Sequence, residues 1–269
     1  MIERIYIARH GYRLNWVDTN WKSATGLPRD PPLAAYGEAQ AQELASYFRS
    51  LPEEKRPTAI FSSPYYRCLQ TSLPTARALG LPICVEHGIA EWYSPVAPGT
   101  GLHPRPMPAS DLRSYFAEID PSWSSVWYPS RKGEDVEEVH ARAFGFLKIF
   151  IPEIEGRCGI KHKNILLISH AATIIALCRG LLMQPNLPLR IGCCSISEFF
   201  RNSDVVGARE AWHVKILADG RHLRDGASRD WGFEDIEIAN GKVINDTGMP
   251  GTEDSEEDIS GPQIHRSVL

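Results

Sequence analysis

The chain has 269 residues, of which 43% are hydrophobic and 23% charged, and this composition is typical of an ordinary globular protein. The net charge of −4 excludes a broadly basic face, so we expect no direct binding to nucleic acid. No apolar run approaches the ~20 residues that a membrane-spanning helix needs, and no signal pattern opens the chain. We therefore expect no membrane association and a cytoplasmic or nuclear location.

The negative charge is concentrated near the C-terminal end. Residues 246–269 hold six acids and one base, a net of −5, which leaves residues 1–245 at +1 out of the total of −4. A segment of this composition buries too little apolar area to offset its chain entropy. We therefore predict one domain over residues 1–245 and a disordered acidic tail over residues 246–269. The six cysteines have no metal-binding spacing, which predicts reduced thiols.

Strand-like and helix-like segments alternate along the chain. Hydrophobic periodicity predicts strands at residues 2–8, 59–62, 83–85, 164–169, 193–200 and 212–218. It predicts helices at residues 36–51, from Pro64 to Leu79 with a kink at Pro74, at residues 134–155 and at residues 172–182. Residues 94–108 contain five prolines, and we predict an irregular cap insertion over about residues 94–130.

The alternation predicts a three-layer α/β fold with a mostly parallel central sheet and helices on both faces. His10 comes directly after the first predicted strand, and His170 comes directly after the strand at residues 164–169. The carboxyl ends of parallel strands meet at one edge of a sheet, where ligands bind. The sequence therefore predicts a site that contains both histidines.

The residues around these histidines suit phosphate chemistry. A neutral imidazole can attack phosphorus near neutral pH, and arginine binds two phosphate oxygens at once. Arg9 precedes His10, and Arg67 falls in the first turn of a predicted helix, where backbone N–H groups also favour an anion. Each of these motifs alone also fits a structural role, so only their combination predicts a phosphoryl-transfer site.

Four motifs in order resemble the histidine phosphatase superfamily in its larger, phosphoglycerate-mutase-like branch. They are RHG at residues 9–11, LAAYGEAQA at residues 33–41, SSPYYRCLQT at residues 62–71 and SHA at residues 169–171. The resemblance implies that His10 is the nucleophile and forms a phosphohistidine, and that Glu91 is the proton donor. It further implies a phosphate pocket formed by Arg9, Arg67 and His170, with Arg13 as an additional phosphate or substrate contact.

Three features of the sequence depart from the family's usual pattern. Tyr12 stands in place of the acid of the common RHGE motif. Asn15-Trp16 inverts the family's usual Trp-Asn order, which puts the usual contact between this asparagine and phosphate in doubt. Ala34 replaces a threonine that would cap the following helix, a loss of about 1 kcal/mol.

The run IYIARHGYRLNW at residues 5–16 carries a narrower resemblance, to the phosphatase-like small subunit of the fungal RNA polymerase III factor TFIIIC and to free-standing relatives of that subunit. In the subunit, a phosphatase-like domain is joined to a β-rich assembly region. The residues after 200 are too few for a full additional barrel, which favours a free-standing relative. A protein complex of the TFIIIC type nevertheless stays open as a partner.

The sequence therefore predicts a phosphoric monoester hydrolase with a phosphorylated protein or small molecule as its partner. Phosphotyrosine and small phosphomonoesters are both left open as substrates. No cysteine-phosphatase signature, Asp-x-Asp motif, nucleotide-binding loop or metal-ligand cluster is present, so we expect a metal-independent reaction without a cofactor. Two alternatives remain: a phosphomutase that uses the same nucleophile, and an assembly module with little or no physiological turnover.

Overall fold

The computed structural model describes residues 1–158, 162–201, 212–236, 238–239, 242–243 and 259–263. The helices are α1 (Ala35–Ser50), α2 (Tyr66–Leu79), α3 (Ala109–Leu112), α4 (Val136–Cys158) and α5 (Ala171–Leu182). The strands are β1 (Arg4–Arg9), β2 (Ala59–Ser62), β3 (Ile83–Val85), β4 (Trp127–Tyr128), β5 (Asn164–Ser169), β6 (Ile196–Arg201), β7 (Trp212–Asp219), β8 (Ile238–Ala239), β9 (Lys242–Val243) and β10 (Gly261–Pro262). The five described cysteines are free thiols.

The central sheet has six strands in the order β3-β2-β5-β1-β6-β7. Strands β3, β2, β5 and β1 run parallel, while β6 and β7 are each antiparallel to the strand before them in the sheet. Arg9 at the end of β1 is the register partner of Ser169 at the end of β5. The residue that follows each of these two strands is a histidine, so this pairing brings His10 and His170 to the same edge of the sheet.

Two apolar cores cover the faces of this sheet. Alternate side chains of β1 point in opposite directions. Ile5 and Ile7 therefore join the core that contains α4 and α5 residues, and Tyr6 and Ala8 join the core that contains α1 and α2 residues. Helices on both faces of a mostly parallel sheet confirm the predicted three-layer fold.

Two helix starts differ from the prediction because of capping contacts. Helix α2 begins at Tyr66 and not at Pro64, since Tyr65 is extended and the Asp30 carboxylate accepts the Tyr66 N–H at 2.8 Å. Helix α4 begins at Val136, two residues later than predicted. Asp135 and Glu138 form a capping box there, each side chain accepting the other's backbone N–H at 2.8 Å.

The C-terminal prediction needs a correction at residues 259–263. We expected no structure beyond residue 245, but β10 pairs antiparallel with β4, and the Gln263 N–H donates to the Val126 carbonyl at 2.8 Å. This pairing rests on backbone hydrogen bonds, and these cannot be predicted from the low apolar content of the segment. The remainder of residues 246–269 lies outside the described residues, and so the division into domain and tail stays a prediction.

The cap region contains little regular structure. Within residues 94–130 only the four-residue helix α3 and the two-residue strand β4 occur. Among the described residues, no helix is both long and apolar enough to cross a membrane.

Two glycines let the loop after β1 lie directly on the start of α1. A Cβ on Gly11 would lie 2.6 Å from the Gly37 carbonyl oxygen, and a Cβ on Gly37 would overlap the Tyr12 backbone. The Tyr12 carbonyl also accepts the Ala34 N–H at 2.9 Å. This close approach fixes the loop that carries the first histidine.

We expect Gly37→Ala to destabilise the protein by about 1–3 kcal/mol, because the backbone of the loop cannot yield without losing its hydrogen bonds. Urea unfolding measures the change. Gly156→Ala, in the last turn of α4, is the matched control, since no atom lies within 4 Å of a Cβ there and no loss of stability is expected. Equal stability of the two variants would contradict the packing argument.

Candidate active site

The two strand-end histidines form the centre of the site. The backbone N–H of His10 donates to the Ser169 carbonyl at 3.0 Å, and the imidazole rings of His10 and His170 have centroids 5.3 Å apart. Both side chains are almost fully buried. The parallel register of β1 and β5 therefore places two imidazoles side by side at the carboxyl edge of the sheet.

The hydrogen bonding of His10 determines which nitrogen can react. Its Nδ1 lies 2.8 Å from the Gly11 carbonyl oxygen, which can only accept a hydrogen bond. In the neutral ring Nδ1 therefore carries the proton and Nε2 carries the lone pair. Burial lowers the pKa of His10 well below its ordinary value, and Arg67 and Arg9 lower it further. The ring is thus neutral, and its Nε2 unprotonated, at neutral pH.

Arg67, on the first turn of α2, is fully buried and holds two carboxylates. Its Nη1 donates to Asp30 at 2.9 Å, and its Nη2 donates to Glu91 at 3.0 Å. Burial alone would lower the pKa of Arg67, but these two carboxylates outweigh it and raise the pKa above its usual value. The guanidinium is therefore permanently charged and fixed in orientation.

Glu91 lies between Arg67 and His170. Its Oε2 is 3.2 Å from His170 Nδ1, and Arg67 Nη2 lies at the same distance from this nitrogen. The opposite nitrogen, Nε2, lies within hydrogen-bond distance of the Ser63 hydroxyl, at 2.7 Å. Burial raises the pKa of Glu91, but His170 and Arg67 outweigh this and hold it below its ordinary value. Burial lowers the pKa of His170 to about 4. In the protein without ligand, Glu91 is therefore ionised and His170 neutral.

Arg9 and Arg13 complete the positive environment. Arg9 Nη1 donates to the carbonyls of Ile191 and Arg229, at 2.7 and 2.5 Å. The Arg13 guanidinium lies over the Trp16 ring, 4.3 Å from its centroid, and burial lowers the pKa of Arg13 to about 10. The Nε atoms of Arg9, Arg13 and Arg67 are all buried without a hydrogen-bond partner among the described residues. Three buried donors without acceptors indicate a site for an anion.

A cavity of about 390 Å³ lies above these groups. Four arginines and one glutamate line it, and the aromatic side chains Trp92, Tyr93 and Trp231 form part of its wall. Ala171 and Ala172, at the N-terminus of α5, complete the lining, so unpaired backbone N–H groups of that helix add to the positive potential. The cavity therefore suits an anionic group attached to a larger, partly apolar molecule.

The ligand types at the centre also match a metal site in part. One ligand atom each from His10, Glu91 and His170 lies within 4.8 Å of the others. However, Arg67 Nη2 lies 3.2 Å from His170 Nδ1 and contacts the Glu91 carboxylate. A divalent cation would be repelled by this guanidinium, and so the charge distribution favours an anion.

Polar residues of the sequence motifs hold the loops of the site in place. Thr71 Oγ1 accepts the Gly11 N–H at 3.0 Å, and Gln70 Oε1 accepts the Leu33 N–H at 2.7 Å. Gln40 Oε1 accepts the Tyr12 N–H at 3.0 Å. The Gln and Thr side chains of these motifs therefore position the backbone near His10.

The structure brings together all six residues that the sequence singled out. Arg9, His10, Arg13, Arg67 and Glu91 line the cavity, and His170 contacts two of them directly. Their roles in chemistry stay predictions. Asn15 does not line the cavity, and its Oδ1 is buried without a partner among the described residues.

Sequence reasoning missed four contributors: Arg29, Asp30, Ser63 and Trp231. Ser63 belongs to the SSPYYRCLQT motif, so the sequence placed it near the site, but the motif did not predict its contact with His170. Asp30 is followed by two prolines in a loop, and Trp231 lies 140 residues from Glu91 along the chain. No local pattern marks either residue, because each reaches the site through tertiary contacts.

Comparison with known proteins agrees with this geometry. The histidine phosphatase superfamily (branch 1) matches residues 5–206, which is most of the chain. The chain belongs to the histidine phosphatase superfamily. Among solved structures, the ecdysone phosphate phosphatase of Bombix mori is 17% identical with a TM-score of 0.62, covering 80% of this chain and 93% of that one. A mycobacterial glucosyl-3-phosphoglycerate phosphatase is 19% identical with a TM-score of 0.51, covering 80% and 98%. These structures share the fold.

Among curated relatives, the 55 kDa subunit of transcription factor tau from Saccharomyces cerevisiae is 32% identical over 288 aligned positions. The match covers 93% of this chain but only 64% of that subunit. The human ubiquitin-associated and SH3 domain-containing protein B is 25% identical over 64% of this chain and 30% of its own length. The chain therefore spans less than two thirds of either relative. The resemblance to the phosphatase-like TFIIIC subunit is confirmed.

We expect the pKa of His10 to lie below its ordinary value of about 6.5, and Arg13→Gln to raise it, because that substitution removes a cation that disfavours the imidazolium. NMR titration of the His10 ring Hε1 measures both values. Arg4→Gln, at the opposite end of β1, is the control and should leave the titration unchanged. A pKa of His10 near 6.5 in the wild-type protein would contradict the electrostatic description.

Proposed function

We propose that this protein hydrolyses phosphomonoesters through a phosphohistidine formed on His10. The observation that carries the proposal is the tautomer of His10: its Nδ1–H is bound to the Gly11 carbonyl, which leaves an unprotonated Nε2 beside arginines with unpartnered donors. A nucleophile within an anion site has the two properties that phosphoryl transfer requires.

In the first step, the phosphate of the substrate binds to Arg9, Arg13 and Arg67. His10 Nε2 forms a bond to phosphorus while the bond from phosphorus to the ester oxygen breaks. The guanidinium groups and the α5 N-terminus stabilise the charge on the non-bridging oxygens. The Nδ1–H bond to Gly11 stabilises the positive charge that develops on the ring.

Glu91 would protonate the departing oxygen, although the carboxyl is ionised when the site is empty. A bound phosphate dianion places negative charge beside the carboxylate and competes with it for Arg67, and both effects raise its pKa. Substrate binding would therefore convert Glu91 into an acid. In the second step, the Glu91 carboxylate takes a proton from the water that attacks the phosphohistidine, and phosphate leaves.

The reaction would be metal-independent, because the guanidinium groups supply the positive charge that a metal provides in other phosphatases. The aromatic wall of Trp92, Tyr93 and Trp231 favours a substrate with a planar or apolar leaving group, of which phosphotyrosine is one. Small phosphomonoesters also fit the cavity, and so the substrate is the first property to determine.

We expect purified protein to hydrolyse para-nitrophenyl phosphate and a phosphotyrosine peptide in the presence of excess chelator. His10→Ala should lose at least about 10³-fold of this turnover, since it removes the nucleophile. Denaturation at alkaline pH during turnover, where the P–N bond of phosphohistidine survives, followed by mass spectrometry, should find a phosphate on His10 of the wild-type protein.

Circular dichroism of His10→Ala is the control for folding. Residual activity of this variant near the wild-type level would contradict the proposal, and so would activity that a chelator abolishes.

A second candidate function is that of an assembly module of a transcription factor, with a location in the nucleus. The observation that favours it is the 32% identity to the tau 55 kDa subunit across 93% of this chain. In that case the pocket would be retained for its structure or for binding a phosphorylated partner, with little or no turnover.

We expect such a module to co-purify with other transcription-factor subunits at stoichiometric levels from cells of its source, in the wild-type form and as His10→Ala alike. Quantitative mass spectrometry of the tagged proteins measures the ratio. Trace recovery of these subunits, together with activity of the isolated protein, would contradict the assembly role.

A further inference from the structure

The segment that carries Glu91 has no regular secondary structure of its own beyond a short 3-10 turn at His87–Ile89. We call residues 88–93 the acid-bearing segment. A proton donor must be held to a fraction of an ångström, and a loop does this only if other elements fix its backbone. The contacts that fix this segment therefore matter for catalysis.

Helix α5 and the end of β5 fix one side of the segment. Ser169 Oγ donates to the Ile89 carbonyl at 2.7 Å, and Thr173 Oγ1 donates to the Ala90 carbonyl at 2.8 Å. Both residues lie within three positions of His170. These bonds couple the backbone of the acid-bearing segment to the histidine that Glu91 contacts.

A buried ion pair fixes the other side. Arg142, on α4, is 2% exposed, and its Nε lies 2.7 and 2.9 Å from the two carboxylate oxygens of Glu134. Its Nη1 donates to the Gly88 carbonyl at 2.8 Å. Arg142 thereby joins α4, Glu134 and the start of the acid-bearing segment in one rigid arrangement.

Glu134 holds the far end of the same segment through its backbone. Its carbonyl accepts the Trp92 indole N–H at 2.7 Å, and its N–H donates to the Tyr93 carbonyl at 2.9 Å. The pair of Arg142 and Glu134 thus contacts the segment before and after Glu91. Neither side chain touches His10, and the Glu134 carboxylate neutralises the charge of Arg142.

We propose that the buried Arg142–Glu134 pair is a positioning device that holds Glu91 in place to protonate the leaving group. The inference rests on the proposed hydrolysis through phosphohistidine. Because the pair is neutral as a whole, it acts on the position of Glu91 and not on the field in the cavity. Loss of the pair should therefore weaken protonation of the leaving oxygen and leave the nucleophilicity of His10 unchanged.

The test compares two substrates of similar shape, phenyl phosphate and para-nitrophenyl phosphate. The nitro group makes the leaving phenol more acidic, so its departure needs less help from a proton donor. We expect Arg142→Met to lower kcat/KM about 10²-fold for phenyl phosphate and less than about 10-fold for para-nitrophenyl phosphate. Arg142→Lys keeps the positive charge but loses the planar, forked donor geometry of the guanidinium. Its kcat/KM for phenyl phosphate should lie between those of the wild type and Arg142→Met.

Removing one member of a buried pair can unfold a protein, so Glu134→Gln provides a second variant that keeps the shape and one acceptor. Arg4→Gln is the matched control, because it breaks an ion pair with Glu198 at the distant end of β1. Any change in kcat/KM that it causes should be equal for the two substrates. In the double variant of Arg142→Met and Glu91→Gln, the loss should not exceed that of Glu91→Gln alone.

Equal losses on the two substrates in folded Arg142 and Glu134 variants would overturn the positioning role and leave the hydrolase proposal intact. Additive losses in the double variant would also overturn it. Absence of His10-dependent turnover in the wild-type protein, on either substrate, would overturn the proposed function and this inference with it.

Discussion

A guanidinium with no exposure to solvent is tolerated in a folded protein only when carboxylates compensate its charge, and Arg67 is buried to this degree. Asp30 and Glu91 provide that compensation from two different loops. Asp30 also accepts the Tyr66 N–H and so caps the helix that carries Arg67. The pairing of Arg67 with Asp30 is therefore a constraint on the whole carboxyl edge of the sheet, because it fixes a helix start, a loop and the central guanidinium of the site together.

The second carboxylate has a different consequence. Asp30 is almost inaccessible, whereas Glu91 faces the cavity. In the empty site Glu91 neutralises part of the positive charge that a phosphate would otherwise neutralise. In the proposed mechanism, an arriving dianion would compete with Glu91 for Arg67, and this competition would link binding of the anion to the protonation state of the carboxyl group. In that mechanism, the same ion pair that compensates the buried guanidinium would thus prepare Glu91 to donate a proton when the ligand binds.

Much of this arrangement was predictable because its signals are local. The strands β1, β2, β3 and β5 are short apolar runs with clear ends, and parallel pairing brings the residues after them to one edge. The capping box at the start of α4 also has a local signal, an Asp followed three residues later by a Glu. By contrast, no local pattern distinguishes Arg142 and Glu134 from other charged residues of the chain. Their importance follows only from their contacts with Gly88 and Tyr93 in the folded chain.

Periodicity and strand ends in the sequence predicted the fold class and placed His10 and His170 at one edge of the sheet, whereas the family and the other four side chains of the site were implied by the motif resemblance. Only the tertiary structure decided the tautomer of His10, the ionisation of Glu91 and the partners Asp30, Ser63 and Arg142. These depend on distances between atoms of residues that lie tens of positions apart. A hydrogen bond between such residues leaves no periodic trace in the chain, since its energy depends on the geometry that all the elements reach together.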